Sequence, residues 1–284
     1  MNYESALNEL IKNALKEDVG NGDHSTLSTI NAYEEGKAVL KIKQDGVLAG
    51  IDVAETIFRF VQPDIIFTPF KKDGDTMKYG EIAFEVSAKV HTILTCERLV
   101  LNSMQRMSGI ATLTKKYVDK LSGFKTKLLD TRKTTPNFRL LEKAAVRIGG
   151  GKNHRFGLYD MILIKDNHVD YAGGTAKAIE AAKSYLKTKD LDIPIEIEVR
   201  NVAEITEVLN SSGVDRILLD NFTFEKLKEA VILINKRFIT EASGGITEDN
   251  VLEYAQCGVD YVSMGALTHS VKSLDMSLKA TQSN

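Results

Sequence analysis

The sequence is short of several things, and most of these shortages remove a class of function. Tryptophan is absent, which carries no functional message. Only two cysteines occur, Cys96 and Cys257, with neither a metal-type spacing nor a disulfide framework, so reduced thiols are expected. Cations do not outnumber anions. Lys+Arg 37 against Asp+Glu 39 gives a formal net charge of −2, without the basic excess or stripe of a nucleic-acid binder. No apolar run approaches the ~18 residues of a membrane helix, and Met1–Leu10 lacks the basic-then-apolar form of a signal peptide. A cytosolic chain, with neither nucleic acid nor membrane as partner, is the resulting expectation. There is no GxGxxG fingerprint and no Ser-His-Asp hydrolase elbow, so dinucleotide binding and acyl transfer lack support.

What remains is a globular composition, 43% hydrophobic over 284 residues, enough for one large or two ordinary domains. Up to about Val90 the pattern is a small, turn-rich α+β unit. Helical spacing marks Tyr3–Glu17, a helix is expected over Ile51–Phe60, alternation marks Lys37–Lys43, and Ile65–Phe70, Asp73–Thr76 and Glu81–Val90 read as short strands and turns. One long amphipathic helix from Thr95 to Tyr117 follows, with Ser108-Gly109 as its weak point. After Gly123 short strand-like runs alternate with helix-length segments. The runs are Lys127–Asp130, Met161–Lys165, Ile193–Val199, Arg216–Asp220, Phe238–Ala242 and Tyr261–Met264. This rhythm indicates βαβ units and a parallel sheet. At least six such strands fit a closed or nearly closed α/β barrel, with a doubly wound open sheet as runner-up. The expected division is an N-terminal α/β domain over residues 1–115 and a barrel domain over 116–284, with a last helix able to pack back on the first domain.

The stretch Leu128–His168 concentrates Arg132, Lys133, His154, Arg155 and Lys165 around two apolar runs and a triple glycine. A guanidinium grips a carboxylate or phosphate with two parallel hydrogen bonds while an ammonium acts as a point charge, so using both argues for more than one anionic group. The competing reading is a solvated basic loop. It leaves unexplained why the cations directly follow strand-like runs. In an α/β barrel the C-terminal strand ends converge on one face. Here they carry Arg132 and Lys133, Lys165, Glu198, Asp220, Ser243-Gly244-Gly245 and Gly265. Glu198 and Asp220 suit sugar hydroxyls or a hard divalent cation such as Mg²⁺, although each alone is as well read as a helix cap or surface ion pair. The two glycine loops, one of them running into an expected helix start at Ile246-Thr247-Glu248, suit a phosphate. His154 is read as substrate-binding; His24, His91, His168 and His269 are read as structural.

The segments TRKTTP (Thr131–Pro136), GGGKNHR (Gly149–Arg155), GLYDMILIKDNH (Gly157–His168), IEIEV (Ile195–Val199), LLDN (Leu218–Asn221), EASGGI (Glu241–Ile246) and SMGALTHS (Ser263–Ser270) resemble the quinolinate phosphoribosyltransferase family. The likeness continues through EDVGNGDHST (Glu17–Thr26), GVLAG (Gly46–Gly50) and ILTCERLVLNSMQRMSGIAT (Ile93–Thr112). It implies an N-terminal α/β sandwich domain plus an irregular, partly open barrel, assembled as a homodimer or higher oligomer. It also implies transfer of the phosphoribosyl group of 5-phosphoribosyl-1-pyrophosphate to quinolinate with Mg²⁺, giving nicotinate mononucleotide, pyrophosphate and CO₂.

Carried over position by position, the resemblance assigns quinolinate to Arg132, Lys133, His154, Arg155 and Lys165, with Arg98 supplied by a neighbouring subunit. Glu198 and Asp220 would face the ribose hydroxyls and metal, and Ser243–Gly245 and Gly265 the 5-phosphate. Lys133, Lys165, Glu198 and Asp220 would carry the chemistry. Three residues depart from the family pattern: Asn137 where glycine is expected, Ala145 where an aromatic is common, and Arg200 where an acidic or polar residue usually follows the strand. Two rivals share the pocket on paper, a phosphoribosyltransferase-like paralogue of molybdenum-transport operons and a non-catalytic sensor of nicotinate metabolism.

Overall fold

The computed structural model describes residues 2–281. In chain order its elements are α1 (Tyr3–Val19), α2 (His24–Thr29), β1 (Glu35–Ile42), β2 (Gly46–Val47), α3 (Ile51–Val61), β3 (Ile66–Pro69), β4 (Thr76–Met77), β5 (Ile82–Lys89) and α4 (Val90–Lys120). There follow β6 (Lys127–Leu129), α5 (Arg139–Ile148), β7 (Ile162–Ile164), α6 (Asp166–Ala172), α7 (Thr175–Lys189), β8 (Ile195–Val199), α8 (Val202–Leu209), β9 (Arg216–Asp220), α9 (Phe224–Ile234), β10 (Ile239–Ser243), α10 (Val251–Gln256), β11 (Tyr261–Ser263), α11 (Ala266–His269) and β12 (Met276–Thr281). None of the described helices is long and apolar enough to cross a membrane.

One compact unit gathers Met1–Lys115, Thr134–Gly150 and Ala266–Asn284; the other holds Lys116–Lys133 and Gly151–Gly265. A single cut after residue 115 therefore does not describe the chain, because two later pieces return to the first unit. The first unit is built on an antiparallel sheet of order β12-β1-β5-β3. Alternation puts Ala38, Leu40 and Ile42 of β1 into the core, with Leu40 opposite Leu278 of β12. The last element is thus a strand, not the expected helix: Met276 and Leu278 are buried with Ser277 between them, a period of two that suits a pleat. Phe84 of β5 meets Phe58 of α3 edge-on at 6.3 Å.

The long helix α4 starts five residues before the expected Thr95, since Val90 follows β5 directly. Ser108-Gly109 does not weaken it. The Ser108 hydroxyl accepts the Ala49 N–H at 2.9 Å, and a Cβ at Gly109 would stand 2.2 Å from the Lys272 carbonyl oxygen, so glycine is what lets the C-terminal segment approach. The helix α5 lies unread inside the basic stretch because its core face includes two charged residues, Glu142 and Lys143, both buried. Glu142 is satisfied by Arg106 Nη2 at 2.8 Å and by the Thr135 hydroxyl at 2.9 Å.

The second unit holds a six-stranded parallel sheet of order β6-β11-β10-β9-β8-β7. That order is a ring of six consecutive strands cut between β6 and β7, the expected partly open barrel. A doubly wound sheet would instead reverse its strand order near the middle. Ile195, Ile197 and Val199 of β8 and Ile217, Leu218 and Leu219 of β9 are buried, as strands covered on both faces require.

Candidate active site

The ends of these parallel strands carry the polar residues singled out from the sequence. Arg132 and Lys133 follow β6, Lys165 follows β7, Glu198 is the penultimate residue of β8, Asp220 and Ser243 end β9 and β10, and Gly265 follows β11. Arg98 lies in the first unit, exposed on α4.

On the cationic side the organiser is Asp130, a fully buried residue that sequence reasoning left without a role. Its Oδ1 accepts the His154 N–H at 2.8 Å and its Oδ2 the Asn153 amide at 2.6 Å. With the Leu129–Lys152 bridge, these bonds tie residues 152–154 to the end of β6, and Arg155 follows within the field of Arg132. Burial, and then the Arg132 charge, hold Arg155 below the ordinary guanidinium value, while Glu196 and Asp160 oppose the shift. The two guanidiniums are half-buried and lie in one electrostatic neighbourhood, which suits an anionic ligand. Lys165 is exposed, and its N–H donates at 2.9 Å to Nδ1 of His168, which thereby caps the start of α6.

On the anionic side, burial raises the Glu198 carboxyl above its ordinary range; the Asp220 charge adds to this and Lys165 opposes it. Glu198, Asp220 and Lys165 therefore share one electrostatic neighbourhood. As hard oxygen donors the two carboxylates fit Mg²⁺, which commonly takes one or two from a protein. Ser243 faces them too: its hydroxyl donates to Asp220 Oδ1 at 2.5 Å. The loop behind it turns at Gly244 and Gly245, with φ of 95° and 61°, and Gly245 opens onto free space. The expected helix start at Ile246–Glu248 is replaced by a turn, in which the Thr247 N–H donates to Asn250 Oδ1 at 2.8 Å, and α10 begins only at Val251. An anion here would meet loop amides, not a helix end.

Beneath this rim lies a layer that the sequence reading missed. Glu196 and Glu241 have no exposed side-chain surface, yet both are acidic. Arg216 Nη1 donates to Glu241 Oε2 at 2.9 Å, with its Nε 3.9 Å from Glu196 Oε1. His154 turns its ring into this layer, 7% exposed, with Nε2 at 2.9 Å from Glu196 and 3.6 Å from Glu241. Its Nδ1 accepts the Arg155 N–H at 2.6 Å. The histidine read as a substrate ligand thus sits under Arg155, against the buried acids. The signal for this layer was present in IEIEV: an acid flanked by isoleucines on a doubly covered strand has no solvent side and must find a partner.

Two of the departures have local explanations. Asn137 holds φ 61°, a left-handed position where glycine is expected and asparagine is tolerated. Arg200, which follows β8, is exposed and engages Asp170 at 3.0 Å and Glu204 at 2.8 Å. Nothing in the structure explains the residue type at Ala145, which is simply buried.

Comparison with known proteins agrees with this architecture. Residues 23–108 match the quinolinate phosphoribosyl transferase N-terminal domain and residues 110–279 the C-terminal domain. A mitochondrial quinolinate phosphoribosyltransferase [decarboxylating] 2b of Nicotiana tabacum is 47% identical over 288 residues, covering 96% of this chain and 82% of that one. A chloroplastic nicotinate-nucleotide pyrophosphorylase [carboxylating] of Arabidopsis thaliana is 46% identical with the same coverage. The crystal structure of NadC from Streptococcus pyogenes superposes with a TM-score of 0.89 at 42% identity, over 96% of this chain and 95% of that one. The plant names correct the cytosolic expectation, since both place such proteins in organelles. Balanced charge and short apolar runs describe the solvent a fold tolerates and carry no compartment address. Neither rival reading is favoured by these relatives. The chain belongs to the quinolinate phosphoribosyltransferase family, whose members are decarboxylating pentosyltransferases.

Proposed function

We propose that the strand ends divide the family reaction between them. Arg132, Lys133, Arg155 and Lys165 hold the two carboxylates of quinolinate, with His154 anchoring Arg155 from below. Glu198 and Asp220 face the ribose of 5-phosphoribosyl-1-pyrophosphate, and the loops at Ser243–Gly245 and Gly265 take its 5-phosphate. The observation that carries this reading is the division of charge along one rim, with Arg132, Lys133 and Lys165 following β6 and β7 and Glu198 and Asp220 closing β8 and β9. The cations suit a dicarboxylate and the acids a cationic centre.

Mg²⁺, held through Glu198 and Asp220, would neutralise the departing pyrophosphate. As the bond from ribose C1 to pyrophosphate lengthens, positive charge grows on the sugar, and the two carboxylates stabilise it electrostatically. The cationic pocket meanwhile keeps the pyridine nitrogen aimed at C1, converting an encounter of two anions into a positioned attack. Once the C–N bond forms, the bond from ring carbon 2 to its carboxylate breaks as CO₂ leaves, its electron pair stays on carbon 2 where the adjacent positive nitrogen stabilises it, and that pair then takes up a proton. No covalent intermediate with the protein is required.

Folded protein given quinolinate, 5-phosphoribosyl-1-pyrophosphate and Mg²⁺ should release CO₂ and form nicotinate mononucleotide; product no higher than the blank would overturn the reading. The exposed Arg98 completes the site of a second copy in a homodimer or larger assembly. Arg98→Ala and Lys165→Ala proteins, each inactive, should then recover activity after subunit exchange. Failure to recover once exchange is verified would count against a shared site.

A further inference from the structure

At the end of β9 the backbone takes up a conformation that side chains rarely allow. Asn221 holds φ 55°, in the left-handed region. From there its N–H donates to the Ser243 carbonyl at 3.0 Å, and its side-chain amide turns back to donate to Asp220 Oδ2 at 2.6 Å. The other carboxylate oxygen, Oδ1, takes the Ser243 hydroxyl. Each oxygen of Asp220 therefore has its own donor, one from the residue after β9 and one from the neighbouring β10, and Ser243 lies directly opposite Asp220 in the strand register. Gly244 is part of the same arrangement. A Cβ there would lie 2.1 Å from Asn221 Oδ1 and 2.6 Å from its Cγ, so the amide occupies the space a side chain at 244 would need. At Gly245, by contrast, a Cβ would meet nothing within 4 Å.

We propose that Asn221 is a positioning residue: with Ser243 it clamps the Asp220 carboxylate in one orientation toward the phosphoribosyl donor, and residue 244 is glycine to admit its amide. The proposal rests on the reading above that Asp220 serves that donor. A carboxylate gripped on both oxygens loses rotation about its terminal torsion yet keeps free lone pairs, so it meets sugar hydroxyls or a cation without reorganising. It also gives Ser243 a task besides phosphate binding, since its hydroxyl is spent on Asp220.

Two variants separate the side chain's role from the backbone's. Asn221→Gly keeps the left-handed turn and removes the amide. Asn221→Asp tolerates the same turn but sets an acceptor against Asp220 where a donor stood. Both should unfold near the parent's midpoint. For Asn221→Gly, KM for 5-phosphoribosyl-1-pyrophosphate should rise about tenfold, the loss expected for one charge-assisted hydrogen bond. The rise should be larger for Asn221→Asp, and KM for quinolinate should stay within about twofold in both, as expected if the two ligands use separate groups. Calorimetric titration of 5-phosphoribosyl-1-pyrophosphate with Mg²⁺, in the absence of quinolinate, should show the same weakening without turnover. Parental donor affinity in both variants, or a change confined to quinolinate, would overturn the clamp. Asp220→Ala tests the underlying reading: if it binds the donor as the parent does, both ideas fall, whereas if it alone loses affinity only the clamp does.

Discussion

Two pairs of acids stand on the same parallel sheet, one layer apart, and the fold treats them in opposite ways. Glu196 and Glu241 lie in the deep layer, sealed from solvent, with Arg216 and His154 against them. Glu198, two residues along β8 from Glu196, and Asp220 lie at the rim, half-buried and beside Lys165. Burial is the first cause of the raised proton affinity of Glu196, Glu198 and Glu241 alike. What differs is the countercharge. The deep acids face an arginine of their own sheet, Arg216, which stands opposite Glu196 in the register and pairs with Glu241. At the rim the acids are only half-buried and have the exposed Lys165 as countercharge, which leaves them able to act on a ligand.

The sharpest way to break the contrast is to remove the deep countercharge. Arg216→Ala leaves two buried acids with one histidine between them, and should destabilise the fold by about 3–5 kcal/mol in urea unfolding. A loss under about 1 kcal/mol, the size expected of a surface ion pair, would mean that the deep layer is not a buried ion network. At the rim the effect should move from stability to rate. Glu198→Gln should lower kcat/KM about a hundredfold, the size expected from losing a transition-state electrostatic contact, while the unfolding midpoint stays level or rises. Stability is spared because the substitution relieves the repulsion with Asp220. A destabilised but active variant would reverse the assignment of the two layers.

The smallest effect is a slope against pH. Burial, then the Glu196 charge, push the Glu241 carboxyl up from an ordinary 4.5 to about 7. Between those values the folded state keeps a proton that the unfolded state has released, so stability falls as pH rises through this window. The slope attributable to Glu241 should reach at most about 1.4 kcal/mol per pH unit, and Glu241→Gln should remove it. An unchanged slope of unfolding free energy against pH in that variant would assign the proton elsewhere.

The rim was legible in the sequence because its residues follow strand-like runs, and strand ends of a parallel barrel share a face whatever their separation along the chain. Arg132, Lys165, Glu198, Asp220 and Ser243 all stand at such ends. The helix α5 and strand β12 were harder to read. The first hides buried charges among its apolar residues, and the second is a short terminal segment whose alternation matters only once β1 is there to pair with it. His154 could be seen as important but not oriented: the direction of its ring depends on Glu196 and Glu241, which come from two other strands.

By itself, then, the sequence determined the family, the alternation of strands and helices, and the set of charges at the rim, since these depend on periodicity and on local order along the chain. The tertiary structure alone decided which acids are sealed and which are open, that Ser243 and Asn221 share the Asp220 carboxylate, and that Gly244 must lack a side chain. Those outcomes depend on burial and on distances of a few ångströms between separate strands, and no spacing within one segment encodes them.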